Sequence, residues 1–188
     1  PIFCGQAARR RSRLERAPRG IRRVLTHSEK AAAYMADGYA RAGRKPGVCM
    51  AQSVGAANLA SGLQEPFLGR APVIALTGRA ALVAQQRHAY QEVQHAPLFA
   101  AVTKSSVPVT TLEQLPRLLR QAFRDATTGA PGPAHLDLLG HQGQAIETPE
   151  GDLEVLAEPA FAQIPAHRPA PEPEAVRQAA RALLDAER

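Results

Sequence analysis

Two stretches of this 188-residue chain combine residue types that could do chemistry: Glu29, and the run Gln52-Ser53-Val54-Gly55-Ala56-Ala57-Asn58. Glu29 follows an apolar, strand-like run, Ile21 to Leu25, and opens a helix that stops near Gly43. Ser28 is placed to cap that helix. Ala32, Met35, Ala36 and Tyr39 fall at helical spacing and predict one closely packing face. A carboxyl where a strand ends and a helix begins lies on the edge of an open α/β sheet at which ligands bind. The competing reading is that an acidic residue in a first turn complements the helix dipole. The small residues around Gly55 would let a backbone turn approach a ligand, with the next helix aiming its N-terminus there. They would equally make an ordinary strand-to-helix turn with Asn58 as a cap.

The elements that must position these residues alternate. Pro1–Gly5 reads as the end of a first strand running into a turn, and strands are predicted at Ile21–Leu25, Gly47–Ala51, Ala71–Gly78 and Gly132–Leu138, the one at Ala71–Gly78 with an entry Pro and an exit Gly. Helices follow at 7–17, Glu29–Ala42 and Leu59–Leu68. Thr111 and Gln114 form a capping box ahead of a helix with Leu115, Leu118, Leu119, Ala122 and Phe123 on one face. With a further strand ending at 101–104, alternation with short connections predicts an open, doubly wound, mainly parallel six-stranded sheet with helices on both faces, a three-layer α/β/α fold. Residues 140–173 are rich in Pro, Gly and charge and read as a surface connection. A last amphipathic helix is predicted at Glu174–Glu187. The expected division is therefore a domain over 1–140, a linker over 141–173, and over 174–188 either the start of a middle domain or a C-terminal helix.

Net charge is +6, and much of the excess lies in the arginines between Arg9 and Arg23. A basic cluster can serve nucleic acid, but this one lacks interleaved aromatics, a zinc pattern and a helix-turn-helix signature. A solvated face, or one meeting an acidic part of an assembly, is preferred, and nucleic acid is not the expected partner. No apolar run is long enough to span a membrane, and the first residues lack a signal-peptide core. Cys4 and Cys49 are too few for a disulfide framework and read as reduced thiols of a cytoplasmic protein, Cys49 in the core. His88, His95, His135 and His141 have no metal-ligand spacing and are expected to be structural or exposed.

The run His27-Ser28-Glu29 through Ala36-Asp37-Gly38-Tyr39-Ala40-Arg41 to Lys45-Pro46-Gly47-Val48 resembles thiamine-diphosphate enzymes of the acetolactate synthase, pyruvate oxidase and benzoylformate decarboxylase group. Further stretches fit in the same order. Gly55-Ala56 and Asn58 match a Ser-Gly-Pro-Gly-Ala-Thr-Asn turn, with Ser53 and Val54 where Gly and Pro are usual. Tyr90-Gln91-Glu92 matches an Ala-Phe-Gln-Glu element, and Val102-Thr103-Lys104 a Val-Thr-Lys strand end. Gly132-Pro133-Ala134-His135-Leu136-Asp137 resembles the family's last strand of this domain, and the likeness covers about residues 20–140. Phe3-Cys4-Gly5-Gln6-Ala7 stands where the family has a loop approaching the cofactor ring. The resemblance also implies helix and strand residues upstream, so that the N-terminus is truncated.

The resemblance implies a pyrimidine-binding (Pyr) domain in which Glu29 activates thiamine diphosphate. A carboxyl in a desolvated site can share a proton with a ring nitrogen, whereas a Gln there could hydrogen-bond but not exchange the proton. Gln52, Gly55 and Asn58 would line or support the cofactor turn. Gln91 would lie on the substrate side and Lys104 near its approach, the alternative being solvated surface. The family often has a His beside the Glu; here Ser28 stands there and His27 is one residue away. The Gly-Asp-Gly … Asn motif that holds Mg2+ and the diphosphate in a second (PP) domain is absent, and Gly151-Asp152-Leu153 does not supply it. The chain thus implies half a site: a PP domain of the complete enzyme or of a partner subunit, a homo-oligomer (dimer or tetramer), and a 2-oxo acid substrate, with FAD possible in the complete enzyme. Carboligation or decarboxylation, a transferase or lyase activity, is the expected chemistry of that whole, and this fragment alone is expected to be inactive. A separate Pyr subunit of a two-chain decarboxylase and a non-catalytic α/β module using the Arg-rich segment are the rival readings.

Overall fold

Short runs of Val, Ile, Leu and Ala, each preceded or followed by Gly or Pro, become the strands of one sheet. The computed structural model describes residues 1–5, 20–140 and 153–187. The helix expected at 7–17 lies outside the described residues. The strands are β1 (Ile2–Cys4), β2 (Arg23–Leu25), β3 (Gly47–Gln52), β4 (Val73–Arg79), β5 (Ser105–Val109) and β6 (Ala134–Leu139). They pair in the order β2-β1-β3-β4-β6-β5, every pair parallel. The helices are α1 (Glu29–Gly43), α2 (Gly55–Leu68), α3 (His95–Ala100), α4 (Leu115–Thr127) and α5 (Pro173–Leu184).

Strand alternation divides the core in two. Cys49, Ala51 and Ala75 face a cluster with Ala32, Ala33, Ala36, Ala56, Leu59, Leu63 and Phe99, from α1, α2 and α3. Ile74, Ala134 and Leu136 face the other way, with Ala122 and Ala126 of α4. Helices therefore cover both faces, as the alternation predicted. The stripe α1 buries is Ala32, Ala33, Ala36 and Ala40. Met35, expected on that face, is instead exposed. Small residues are needed because the neighbours come so close. A Cβ at Gly62 of α2 would lie 2.7 Å from Ala33 Cβ, and one at Gly47 of β3 would lie 2.2 Å from the Ala36 carbonyl oxygen. Cys4 and Cys49 are buried free thiols, and burial pushes Cys4 up to about 11.

One strand is displaced from its expected place. Residues 101–104 read as a strand end, but α3 and its trailing turn occupy the stretch before Lys104, and β5 begins after it. The Lys104 N–H bonds the Pro133 carbonyl just ahead of the strand pair β5–β6. β5 lies at the sheet edge, where Pro108 and its missing donor are tolerated.

Part of the expected linker packs on α4. Glu158 accepts hydrogen bonds from Arg120 (3.0 Å) and Arg124 (2.5 and 2.6 Å), and the Arg124 guanidinium lies 5.3 Å from the Phe161 ring. A cleft of about 400 Å3 lies between this segment and Leu115, Leu119 and Phe123. The two arginines hold the Glu158 carboxyl down to about 2, against an ordinary 4.5. A depressed carboxylate contributes its stabilisation above the ordinary value and loses it as pH falls through the lowered one. Acidification from about pH 4.5 towards 2 should therefore release residues 153–162 from α4. Faster hydrogen exchange at the Phe161 amide, reproduced at neutral pH by Glu158→Gln, is the expected readout; unchanged exchange in both would refute it.

Candidate functional site

The chain order of the sheet reverses between β1 and β3: β1 leads outwards to β2, and β2 crosses back to β3. At such a switch point the loops beyond the strands' carboxyl ends part and leave a crevice. Gly5 follows β1, Glu29 follows β2 and Gly55 follows β3, so all three meet at this crevice.

Local chemistry fixes Glu29 there. The Ser28 hydroxyl accepts from the Ala31 N–H and caps α1. Thr26 ties the end of β1 to this turn, its N–H bonding the Cys4 carbonyl at 2.8 Å and its hydroxyl lying 2.7 Å from the Ser28 carbonyl. Glu29 is 8% exposed. A Cβ added at Gly5 would lie 2.3 Å from Glu29 Cγ and 2.6 Å from Oε1, and one at Gly55 would lie 3.1 Å from its carboxyl carbon. The two glycines form a cradle that the Glu29 side chain fills. Asn58 Nδ2 donates to Oε2 at 3.2 Å. The N-terminus of α2 also faces this carboxyl and favours negative charge there.

Gln52 ends β3 on the same edge. Its Oε1 is buried without a hydrogen-bond donor. A buried acceptor without a partner costs about 1–3 kcal/mol, which a bound N–H would recover. Ser53 follows at φ 42°, in the left-handed region, where the family pattern has Gly. Its N–H bonds the Gly78 carbonyl at 2.7 Å. Val54 is the N-cap of α2 and is 46% exposed.

The structure thus brings Glu29, Gln52, Gly55 and Asn58 to one edge. Gln91 and Lys104 stand apart. Gln91 lies in the loop after β4 at φ 61°, its amide donating to Tyr90 Oη at 3.2 Å. That loop is closed by Glu92, whose carboxylate accepts from the Gln86 and Ala89 N–H groups; these bonds hold it below the usual carboxylate range. Lys104 precedes β5, at the opposite edge of the sheet from Glu29, and its ammonium bonds the Asp125 and Thr128 carbonyls at the end of α4. β5 begins just after Lys104 rather than ending at it. His27 is exposed.

The sequence reading left four polar residues without a function. Thr77 of β4 lies beside Asp137 of β6, and its Oγ1 donates to Asp137 Oδ1 at 2.7 Å. His95 and His135 join them, and Phe99 stacks on the His135 ring with centroids 3.7 Å apart. The available signal was His135-x-Asp137, which alternation places on one face of one strand. Among the described residues no three His, Cys, Asp or Glu side chains converge as metal ligands.

A parallel α/β sheet with a cradled carboxyl and an unpartnered amide oxygen at its switch point has the build of a cofactor-binding domain. The chain belongs to the family described as thiamine pyrophosphate enzyme, N-terminal TPP binding domain, which matches residues 5–98. It is similar to the probable acetolactate synthase large subunit of Methanocaldococcus jannaschii, 37% identical over 168 residues, 88% of this chain and 28% of that protein. The acetolactate synthase isozyme 2 large subunit of Escherichia coli is 42% identical over 136 residues, 72% of this chain and 24% of its own. The chloroplastic acetolactate synthase of Arabidopsis thaliana is 39% identical over 119 residues, 63% of this chain and 18% of its own. The chain therefore spans 28% or less of the length of these relatives.

Proposed function

We propose that this chain is the Pyr-domain part of an acetolactate-synthase-like enzyme, residues 1–140 forming the domain, and that Glu29 activates thiamine diphosphate. The single observation that carries this reading is the Glu29 carboxyl, buried between Gly5 and Gly55 at the switch point. When bound, thiamine diphosphate supplies the nucleophilic carbon that adds to the carbonyl of a 2-oxo acid. Glu29 holds and shares a proton with the pyrimidine nitrogen. Gly55 lets the turn backbone approach the ring, Gln52 Oε1 accepts an N–H, and Asn58 orients the Glu29 carboxyl. The cradled Glu29 carboxyl and the unpartnered Gln52 oxygen suit such a ring. Mg2+ and the diphosphate fall to a PP domain supplied by the complete enzyme or a partner subunit, and the assembly is a homo-oligomer. Gln91, in the loop after β4, would lie on the substrate side and Lys104 near its approach.

The test is thiamine diphosphate binding, with Mg2+, to the enzyme assembled from this chain and its PP domain, followed by turnover of pyruvate. Saturable binding and carbon–carbon bond formation or cleavage are expected. Absence of both, in a folded assembly, defeats the reading. Asn58→Ala should weaken turnover about two- to tenfold through a misplaced Glu29, in line with the roughly 0.5–1.5 kcal/mol of one hydrogen bond.

A further inference from the structure

The polar residues buried beneath α3 have a direction. His95 is 3% exposed and His135 fully buried. His95 Nε2 lies 3.0 Å from the Ser53 carbonyl oxygen, and its Nδ1 lies 2.8 Å from Asp137 Oδ1. A carbonyl only accepts, and an ionised carboxylate only accepts. Nε2 therefore carries hydrogen, and Nδ1, which also lies 3.3 Å from Thr77 Oγ1, carries one as well when Asp137 is ionised, making His95 the cationic partner of that carboxylate. Arg79 Nε, 3.6 Å from Asp137 Oδ2, supports the ionised carboxylate.

The other side of the network fixes the remaining hydrogens. Thr77 Oγ1 gives its hydrogen to Asp137, so it accepts from His135 Nε2 at 2.7 Å. His135 Nδ1 then accepts from the Ser106 hydroxyl at 2.8 Å. That is a neutral ring, and burial pushes His135 down to about 3, in agreement. The donors thus run in one sense, from Ser106 through His135 and Thr77 to Asp137, and from His95 to both Asp137 and Ser53.

We propose that the His95–Asp137 ion pair is a clamp on the β3–α2 turn, with His95 a positioning residue that holds the Ser53 carbonyl. Ser53 is the place where the turn needs holding. It sits at φ 42° without being Gly, and its carbonyl also accepts from the Ala56 N–H at 3.0 Å in the first turn of α2. Gln52 precedes it and Gly55 lies two residues on, so a displaced Ser53 moves both. A left-handed Ser costs about 1 kcal/mol relative to an ordinary conformation, and a charge-assisted hydrogen bond to its carbonyl offsets that. What the turn is held for rests on the thiamine-diphosphate reading above; the clamp itself does not.

The clamp is tested on this chain without any ligand. In the 15N-labelled chain at pH 7, both His95 ring nitrogens should show imidazolium-type signals and His135 a neutral, Nε2-protonated ring. His95→Asn keeps an N–H towards Asp137 but cannot reach Ser53, so exchange of the Ala56 and Ala57 amides should rise about tenfold or more, with α4 unchanged. His95→Gln, whose amide extends to the place of Nε2, should restore exchange to within about threefold. A neutral His95 ring in the unsubstituted chain, or unchanged exchange in His95→Asn, overturns the clamp; if the variants do not fold, the ring signals decide. In the assembled enzyme His95→Asn should raise the thiamine diphosphate requirement about tenfold and His95→Gln should not. Failure of thiamine diphosphate to bind at all, with the His95 signals intact, would sink the functional reading and leave the clamp standing.

Discussion

Glu29→Gln should abolish turnover in the assembled enzyme while the domain still folds. Gln has the shape of Glu and fills the same space between Gly5 and Gly55. Asn58 can keep its contact, because an amide oxygen accepts as a carboxylate oxygen does. Nothing large is lost from the fold, so the melting temperature should move by only a few degrees. What disappears is the exchangeable proton. Positioned proton transfer contributes about 10²–10⁴-fold to a rate, and a cofactor that depends on it for activation should lose at least that much. Binding of thiamine diphosphate should fall far less than turnover, because a hydrogen bond to the ring survives. Thiamine-dependent turnover that persists in the variant would remove Glu29 from the mechanism. A loss of turnover accompanied by unfolding would be a packing effect, so the melting curve must be recorded beside the rate.

The cradle around Glu29 was only half legible in the sequence, for physical reasons. The alternation of apolar strands with capped helices carried the architecture, because a buried parallel sheet demands continuous apolar strands and a turn at each end. Ser28 before a run of small residues marked the start of α1, and the structure keeps that cap. Glu29, Gln52, Gly55 and Asn58 fell together because each is local to a strand-to-helix turn on the same sheet edge. Lys104 did not, since its place depended on where β5 begins, and the residues 101–104 are as compatible with a helix end as with a strand end. Gly5 was seen as part of a turn, but its contact with Glu29 joins residues 24 positions apart and arises only once β1 lies beside β2. His95 gave no spacing signal because its partner Asp137 comes from a strand 42 residues on, and His135 meets Thr77 of β4, 58 residues before it; His135-x-Asp137 was the one local signal. Both histidines are structural rather than exposed, as one half of the reading had it. The packing of residues 153–162 on α4 could not be read either, because it turns on Glu158 meeting two arginines that precede it by 38 and 34 residues.

Gly5→Ala and Gly47→Ala should fail in opposite ways. In both, the added Cβ would meet an atom closer than any real contact: Glu29 Cγ at 2.3 Å in the first and the Ala36 carbonyl oxygen at 2.2 Å in the second. The difference lies in what can yield. Glu29 is a side chain with rotatable bonds at the rim of the crevice, so Gly5→Ala should be accommodated by turning the carboxyl out of its cradle. Reduced freedom of the unfolded chain partly offsets the strain, and stability should change by no more than about 1 kcal/mol. Turnover should nevertheless drop nearly as far as in Glu29→Gln, and Asn58 should lose its partner. At Gly47 the obstacle is the backbone of α1 in mid-helix, where the helix crosses β3. Yielding there means lifting α1 off the sheet and opening the core around Ala33, Ala36 and Cys49. The cost should be about 3 kcal/mol, the upper part of the range for overpacking. For a chain of this size that lowers Tm by about 6–12 °C. Thermal melts of the two variants, read beside thiamine-dependent turnover, separate the cases. Equal melting temperatures would show that α1 is not seated on Gly47 as described. Full activity in Gly5→Ala would show that the Glu29 carboxyl does not need the cradle, and the functional reading would lose the observation on which it stands.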